Sequence, residues 1–178
     1  MEIQDYTWNE HERTLKSQDK IIIPSKYKIK ITDDIDKRIN LEEILETLTQ
    51  KELAKWAITN ARRYINDIDI GDSKLQNEII TKAEQTLKER INGETNAYNM
   101  KQAGFLANKL AQKSKTEISK YAARVFAQAI ATGHMRGHAI VSSDYAIRVI
   151  NLKNDNNLSS IIKERDKQIE MVNELERE

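Results

Sequence analysis

Two histidines, His134 and His138, stand four positions apart within the stretch ATGHMRGHAIVSSDYAI of a 178-residue chain. On a helix, this spacing would place both imidazoles on one face, where they could bind zinc. The helical zinc-hydrolase pattern also needs a glutamate directly after the first histidine, and Met135 occupies that position. The chain contains no cysteine, so a thiolate ligand is excluded. The pair is therefore at most an incomplete zinc site, and a metal-dependent hydrolase that uses His134 and His138 remains one alternative.

Two glycines, Gly133 and Gly137, flank the histidines and favour a second interpretation. Glycine is unfavourable inside a helix, so the pattern indicates a corner between two helices. Histidines at such a corner more often hydrogen-bond to carbonyl groups than bind a metal. We therefore expect His134 and His138 to have structural roles, and we expect neither a metal ion nor a cofactor.

The other reactive side chains form no recognisable catalytic pattern. Ser142, Ser143 and Asp144 follow His138 closely, but a catalytic triad is defined in space, and the GxSxG elbow is missing. The two hydroxyls are more simply interpreted as bonding back to helix carbonyls, with Asp144 on a solvent or interface face. The acidic stretch at residues 67–72 lacks the ligand order of an EF-hand and is interpreted as a turn. We expect a protein that is not an enzyme.

The basic residues are concentrated in one part of the chain. Residues 101–150 contain eight Lys and Arg against two Asp and Glu, although the net charge of the chain is only +1. This asymmetry indicates either charges paired within the fold or an acidic partner. A nucleic-acid-binding helical protein is a second alternative, but no nucleic-acid-binding motif is present. The predicted partner-binding surface comprises Lys109, Lys113, Arg124, Arg136, Asp144 and Arg148.

Composition and periodicity predict an all-α protein. One proline, five glycines and 32% charged residues are typical of long helices. Apolar residues recur every three or four positions, which predicts helices at residues 41–48, 50–67, 74–92, 96–113, 115–133, 137–152 and 158–176. Helix starts are predicted at Asn40, Thr49, Ser73 and Ser114, each followed three positions later by Glu or Gln.

The N-terminal region has a different pattern. Between residues 26 and 31, Tyr27, Ile29 and Ile31 alternate with lysines, which predicts a short strand. A single strand must lie on the helices, form a small ribbon or pair with another chain, so a homo-oligomer is a further alternative. We predict an arm with this strand over residues 1–40 and a compact bundle of six to seven helices over residues 41–178.

No stretch of the chain has the pattern of a signal peptide or a membrane-spanning helix, so we expect a cytoplasmic protein that does not bind membranes.

Four segments of the chain carry a resemblance to a known family: KELAKWAITNARRYI (51–65), AGFLANKLA (103–111), YAARVFAQAIATGHMRGHAIVSSDYAIRVI (121–150) and ERDKQIEMVNEL (164–175). In these segments the chain resembles the bacterial, all-helical immunity proteins of the immunity-protein-5-like group. The most specific part is the helix that runs into His134, followed by His138 and then by Tyr145. A proline often stands between the two histidines in such sequences, where this chain has Arg136.

The resemblance implies a small intracellular protein, encoded beside a polymorphic toxin, that binds a cognate toxin domain and neutralises it. It implies no catalytic chemistry. His134, His138 and Tyr145 are transferred from the family only as signature residues.

Overall fold

The computed structural model describes residues 1–175, in which helices account for all of the regular secondary structure. The nine α-helices are α1 (Ile3–Tyr6), α2 (Glu10–Ser17), α3 (Ile35–Glu46), α4 (Gln50–Arg62), α5 (Ser73–Ile91), α6 (Ala97–Lys113), α7 (Glu117–Ala131), α8 (His138–Lys153) and α9 (Leu158–Leu175). A 3-10 turn at Ile65–Asp67 follows α4. The prediction of an all-α fold is confirmed, with seven longer helices preceded by two short ones in the N-terminal arm.

Helix α7 lies at the centre of the bundle and packs against α4, α6 and α8. Its residues Ala122, Val125, Phe126 and Ile130 are completely buried. Most alanines of α6 and α7 are also buried, and their small side chains let the helix backbones approach closely. Helix α9 closes the bundle over α3 and α4, where the indole of Trp56 donates to the Gln168 carbonyl at 3.1 Å.

One of the four predicted capping boxes is confirmed. Thr49 forms a complete capping box with Glu52 at the start of α4. The capping residues near the other three positions are Asp34, Asp72 and Thr116, so the predicted capping boxes at Asn40, Ser73 and Ser114 are wrong, although α5 does begin at Ser73. Where several residues of a capping type lie close together, local sequence does not decide which of them accepts from the helix amides.

The predicted strand at residues 26–31 is wrong, because this segment forms no β-ladder with any part of residues 1–175. The segment is nevertheless extended and lies on the helices, with Tyr27, Ile29 and Ile31 less exposed than the lysines between them. The alternating pattern therefore identified the inward face of the segment but not its hydrogen-bonding partner.

Side chains of the bundle, instead of a neighbouring strand, form the hydrogen bonds to the two ends of this extended segment. The Asn151 amide accepts from the Thr32 N–H and donates to the Thr32 carbonyl, both at 2.9 Å. At the other end, the Ser25 N–H donates to Glu42 at 3.0 Å, and the Ser25 carbonyl accepts from Arg38 at 2.9 Å. These bonds satisfy backbone groups that a sheet would otherwise pair.

Candidate functional site

The segment that carries the two signature histidines is a corner between α7 and α8. After Ala131 the chain makes successive turns, in which the Gly133 N–H donates to the Ile130 carbonyl at 3.1 Å. His134 lies in these turns, whereas His138 is the first residue of α8. The two imidazoles are thus not carried by one helix, and the geometric premise of the zinc pattern is wrong.

His138 links the two helices that meet at the corner. Its Nδ1 lies 2.7 Å from Oε1 of Gln128, in the last turn of α7. Burial, together with the neighbouring His134, lowers the pKa of His138 below its ordinary value, which favours the neutral ring at neutral pH. Within residues 1–175, no three His, Cys, Asp or Glu side chains are grouped so that they could hold a metal ion.

A carboxylate from the N-terminal arm binds the two backbone N–H groups directly before α8. The two oxygens of Glu12 accept from the backbone N–H groups of Arg136 and Gly137, at 3.0 and 3.3 Å. A negative charge at this end of a helix is favourable because the free N–H groups and the helix dipole both point towards it. The hydroxyl of Thr7 donates to the same carboxylate at 2.7 Å. Sequence reasoning missed Glu12, because it lies 124 residues before the amide that it caps.

Arg136 is only 6% exposed, so the prediction that it lies on a partner-binding surface is wrong. Its guanidinium stacks over the Tyr6 ring at 4.0 Å and donates to the carbonyls of Tyr6 and Leu45. The Arg136 side chain thus reaches from the corner to the arm, and its buried charge lies against carbonyl groups. Arg136 holds the arm against the corner.

Asp144 is 1% exposed, so its predicted place on a partner-binding surface is also wrong. It accepts hydrogen bonds from Arg38 on α3 and Arg165 on α9. Arg165 also pairs with Asp33 of the arm at 2.5 Å. Buried charges require partners of opposite sign, and this network provides them. We call Asp33, Arg38, Asp144 and Arg165 the buried ion network.

The two serines beside Asp144 behave as predicted. Ser142 donates to the Val125 carbonyl of α7 at 2.8 Å, and Ser143 donates to the Ile140 carbonyl one turn earlier at 2.8 Å. Both hydroxyls are therefore used as donors within the helical packing.

The remaining predicted contact residues reach the surface. Lys109 and Lys113 are exposed on α6. Arg124 is half-buried and donates to the Asn108 side chain at 2.8 Å. Arg148 is half-buried over the ring of Tyr121, which also stacks with the signature residue Tyr145 at a centroid distance of 6.0 Å.

Sequence reasoning missed two exposed aromatic residues on α6. Tyr98 is 69% exposed and Phe105 is 58% exposed. They lie seven positions apart, so they share the face of α6 that carries Lys109. A signal was present in the sequence, since neither aromatic falls on the buried stripe that includes Ala103 and Ala107.

A groove between α6 and α7 runs beside this face. Its volume is about 280 Å³, and its lining includes Gly104, Phe105, Arg124, His134 and His138. The corner, the exposed face of α6 and one of the predicted cations therefore meet at one place on the molecule.

A model of the family described as Imm-5 like putative immunity protein matches residues 43–175, which is most of the chain. The chain belongs to this family, as the resemblance predicted. No curated protein and no solved structure matches it. The family match excludes Glu12, Asp33 and Arg38, although these residues complete the capped corner and the buried ion network.

Proposed function

We propose that this member of the Imm-5 like family is a cytoplasmic immunity protein that binds one cognate toxin domain and neutralises it without catalysis. The observation that carries the proposal is the family match, which includes the complete helices α4 to α9. No part of α1 to α9 is both long enough and apolar enough to cross a membrane.

The geometry of the signature residues supports a binding role. Of these residues, His138 is hydrogen-bonded to Gln128 and Tyr145 stacks with Tyr121, while Asp144 and Arg136 beside them are committed to contacts inside the fold. A protein that blocks its partner needs a complementary surface and no reactive group. Within the proposal, the signature residues shape that surface from beneath and do not act on a substrate.

The proposed contact surface is the cationic part of the predicted set, namely Lys109, Lys113 and Arg124, with Arg148 at its edge. Lysines at the rim of an interface accelerate association with an acidic partner, and this effect weakens as salt is added. We therefore propose a toxin domain whose contact surface is acidic.

The direct test uses the purified chain and a catalytically inactive form of the toxin domain encoded beside it. Titration calorimetry should give one-to-one binding, and the active toxin should lose its activity at equal stoichiometry. An absence of binding at micromolar concentration, or full toxin activity in the presence of excess chain, would reject the proposal.

A further inference from the structure

The outer face of α6 combines exposed aromatic rings with positive charge. The chain has two phenylalanines, of which Phe126 is completely buried and Phe105 is 58% exposed. Tyr98 lies on the same face and is 69% exposed. Aromatic side chains are enriched among the residues that dominate binding energy in protein interfaces, so two of them exposed on one helix face indicate a contact surface.

The charged side chains that α6 itself contributes to this face are all lysines, and Glu89 of α5 lines the groove beside Lys109. Lys101 lies over the Phe105 ring at 6.0 Å, and Lys109 and Lys113 continue the same face. Helix α6 contains no Asp or Glu. None of these three lysines forms an ion pair within residues 1–175. The charge that complements them must therefore come from another molecule or from solvent ions.

Phe105 stands on a ridge between two open grooves. The groove between α5 and α6 has a volume of about 500 Å³ and is lined in part by Thr86, Ala103 and Leu106. The groove between α6 and α7 contains Gly104, where a Cβ would lie 3.9 Å from that of Ala131. Because Gly104 has no side chain, the second groove remains open beside the ring. Side chains of a partner can therefore contact both sides of Phe105.

We infer that the outer face of α6 is the docking site for an acidic segment of the toxin domain, with Tyr98 and Phe105 as its central apolar contacts. This inference rests on the proposed function and adds the apolar centre of the contact, Tyr98 and Phe105, with the grooves beside Phe105. The toxin segment carries Asp or Glu side chains opposite Lys101 and Lys109, and at least one large apolar side chain that enters a groove beside Phe105.

A second copy of the chain is a poorer occupant of this face. In a two-fold pairing of α6 with itself, Lys101, Lys109 and Lys113 of one copy would face the same lysines of the other. Like charges brought together in this way oppose association.

The test compares two double variants in titrations with the inactive toxin domain. Tyr98→Ala/Phe105→Ala should weaken binding by at least ~30-fold, as expected for the loss of central aromatic contacts. The control is Leu158→Ala/Lys163→Glu on α9, which removes one exposed apolar side chain and one exposed lysine elsewhere. The control should bind within about threefold of the unmodified chain. Thermal unfolding should show both variants folded, because all four side chains are exposed.

A photo-crosslinking amino acid at position 105 tests the chemistry of the partner segment. The crosslinked toxin peptide should be rich in Asp and Glu, whereas the same probe at position 158 should give no crosslink. A crosslink only from position 158, or a crosslinked peptide without acidic residues, would overturn the inference.

The remaining outcomes separate this inference from the proposed function. If Tyr98→Ala/Phe105→Ala binds the toxin domain as tightly as the unmodified chain does, the α6 docking face is rejected and the immunity role remains intact. An unmodified chain that does not bind the toxin domain would reject both. The unmodified chain could also bind a mixed-sequence DNA duplex or form a dimer in light scattering. If Tyr98→Ala/Phe105→Ala lost either of these while it kept toxin binding, the docking face would be rejected.

Discussion

Asp144 accepts a hydrogen bond from Arg38 at 2.9 Å and another from Arg165 at 2.8 Å, so one carboxylate joins α8 to α3 and α9. Arg165 extends the connection to Asp33 of the arm. Ion pairs of this kind are costly to bury and more costly to break, because the remaining charge has no water to solvate it. The network therefore makes the association of the arm with the bundle sensitive to single substitutions.

Asp144→Asn should destabilise the protein by ~3–5 kcal/mol, since it leaves two buried guanidinium groups with too little negative charge. Urea unfolding followed by circular dichroism measures this loss. The control is Asp166→Asn, which removes an exposed partner of Lys37 and should cost less than about 1 kcal/mol. Equal losses for the two variants would show that the buried ion network contributes no more than a surface pair.

Glu12→Ala should destabilise the protein by ~1–2 kcal/mol, because the N–H groups of Arg136 and Gly137, directly before α8, lose their acceptor. Hydrogen exchange should accelerate at these two amides before it does so within α8. Glu10→Ala, an exposed position on the same short helix, serves as the control and should leave these amides protected. Unchanged protection in Glu12→Ala would contradict the capping role.

The stability of the protein should fall with acid partly through His138. Burial and His134 lower the pKa of His138 from 6.5, while Glu12 opposes the shift. The unfolded chain therefore binds a proton at His138 more readily than the folded chain does. The stability that the neutral His138 ring contributes is present above the unfolded pKa and is lost as pH falls through the folded pKa. Between pH values of about 7 and 5, His138→Gln should lose less stability than the unmodified chain, by up to ~1.4 kcal/mol per pH unit.

The control for this measurement is His11→Gln, since His11 is exposed. Identical pH profiles for His138→Gln and the unmodified chain would rule out a contribution from this ring.

Two glycines should respond in opposite ways to alanine. Gly104→Ala should stabilise the protein by ~0.5–1 kcal/mol, since the position is helical and the added Cβ makes only ordinary contact with Ala131. Gly133→Ala should destabilise it by roughly 1–3 kcal/mol, because the Cβ would lie 2.8 Å from methyl groups of the buried Leu87 and Met100. Thermal unfolding measures the change in stability for both variants. An increase in the stability of Gly133→Ala would show that the corner is loosely packed.

Charge reversal in Lys109→Glu/Lys113→Glu should weaken toxin binding by roughly tenfold, mainly through slower association, without unfolding the protein. The matched control is Lys51→Glu/Lys55→Glu, a pair of exposed lysines with the same spacing on α4. Stopped-flow association at low and moderate salt separates the two variants. An unchanged association rate in Lys109→Glu/Lys113→Glu would remove these lysines from the contact surface.

Much of the fold could be predicted because helix formation depends on residues three and four positions apart. The apolar stripes correctly placed α4 to α9 to within a few residues at most boundaries, and the alternation at Tyr27, Ile29 and Ile31 identified the inward face of the arm. The bond of Ser143 to the Ile140 carbonyl was also predictable, because it closes within a single helical turn. A carbonyl acceptor was predicted for Ser142 as well, but that it belongs to Val125 on the adjacent helix was decided by the packing of α7 and α8.

The sequence by itself therefore determined the helical class, the positions of the main helices and the family. The tertiary structure alone decided which charged residues are inside. Asp144 and Arg136 were predicted at the surface because charged side chains are rarely buried without a partner. Among the partners of their side chains, Arg38 binds Asp144 and the Tyr6 carbonyl binds Arg136, and each pair is separated by more than a hundred residues of sequence. No local pattern predicts such a contact. Only the packing of the arm on the bundle brings these groups together, which is why the same residue types form an interior network here and a solvated surface on α6.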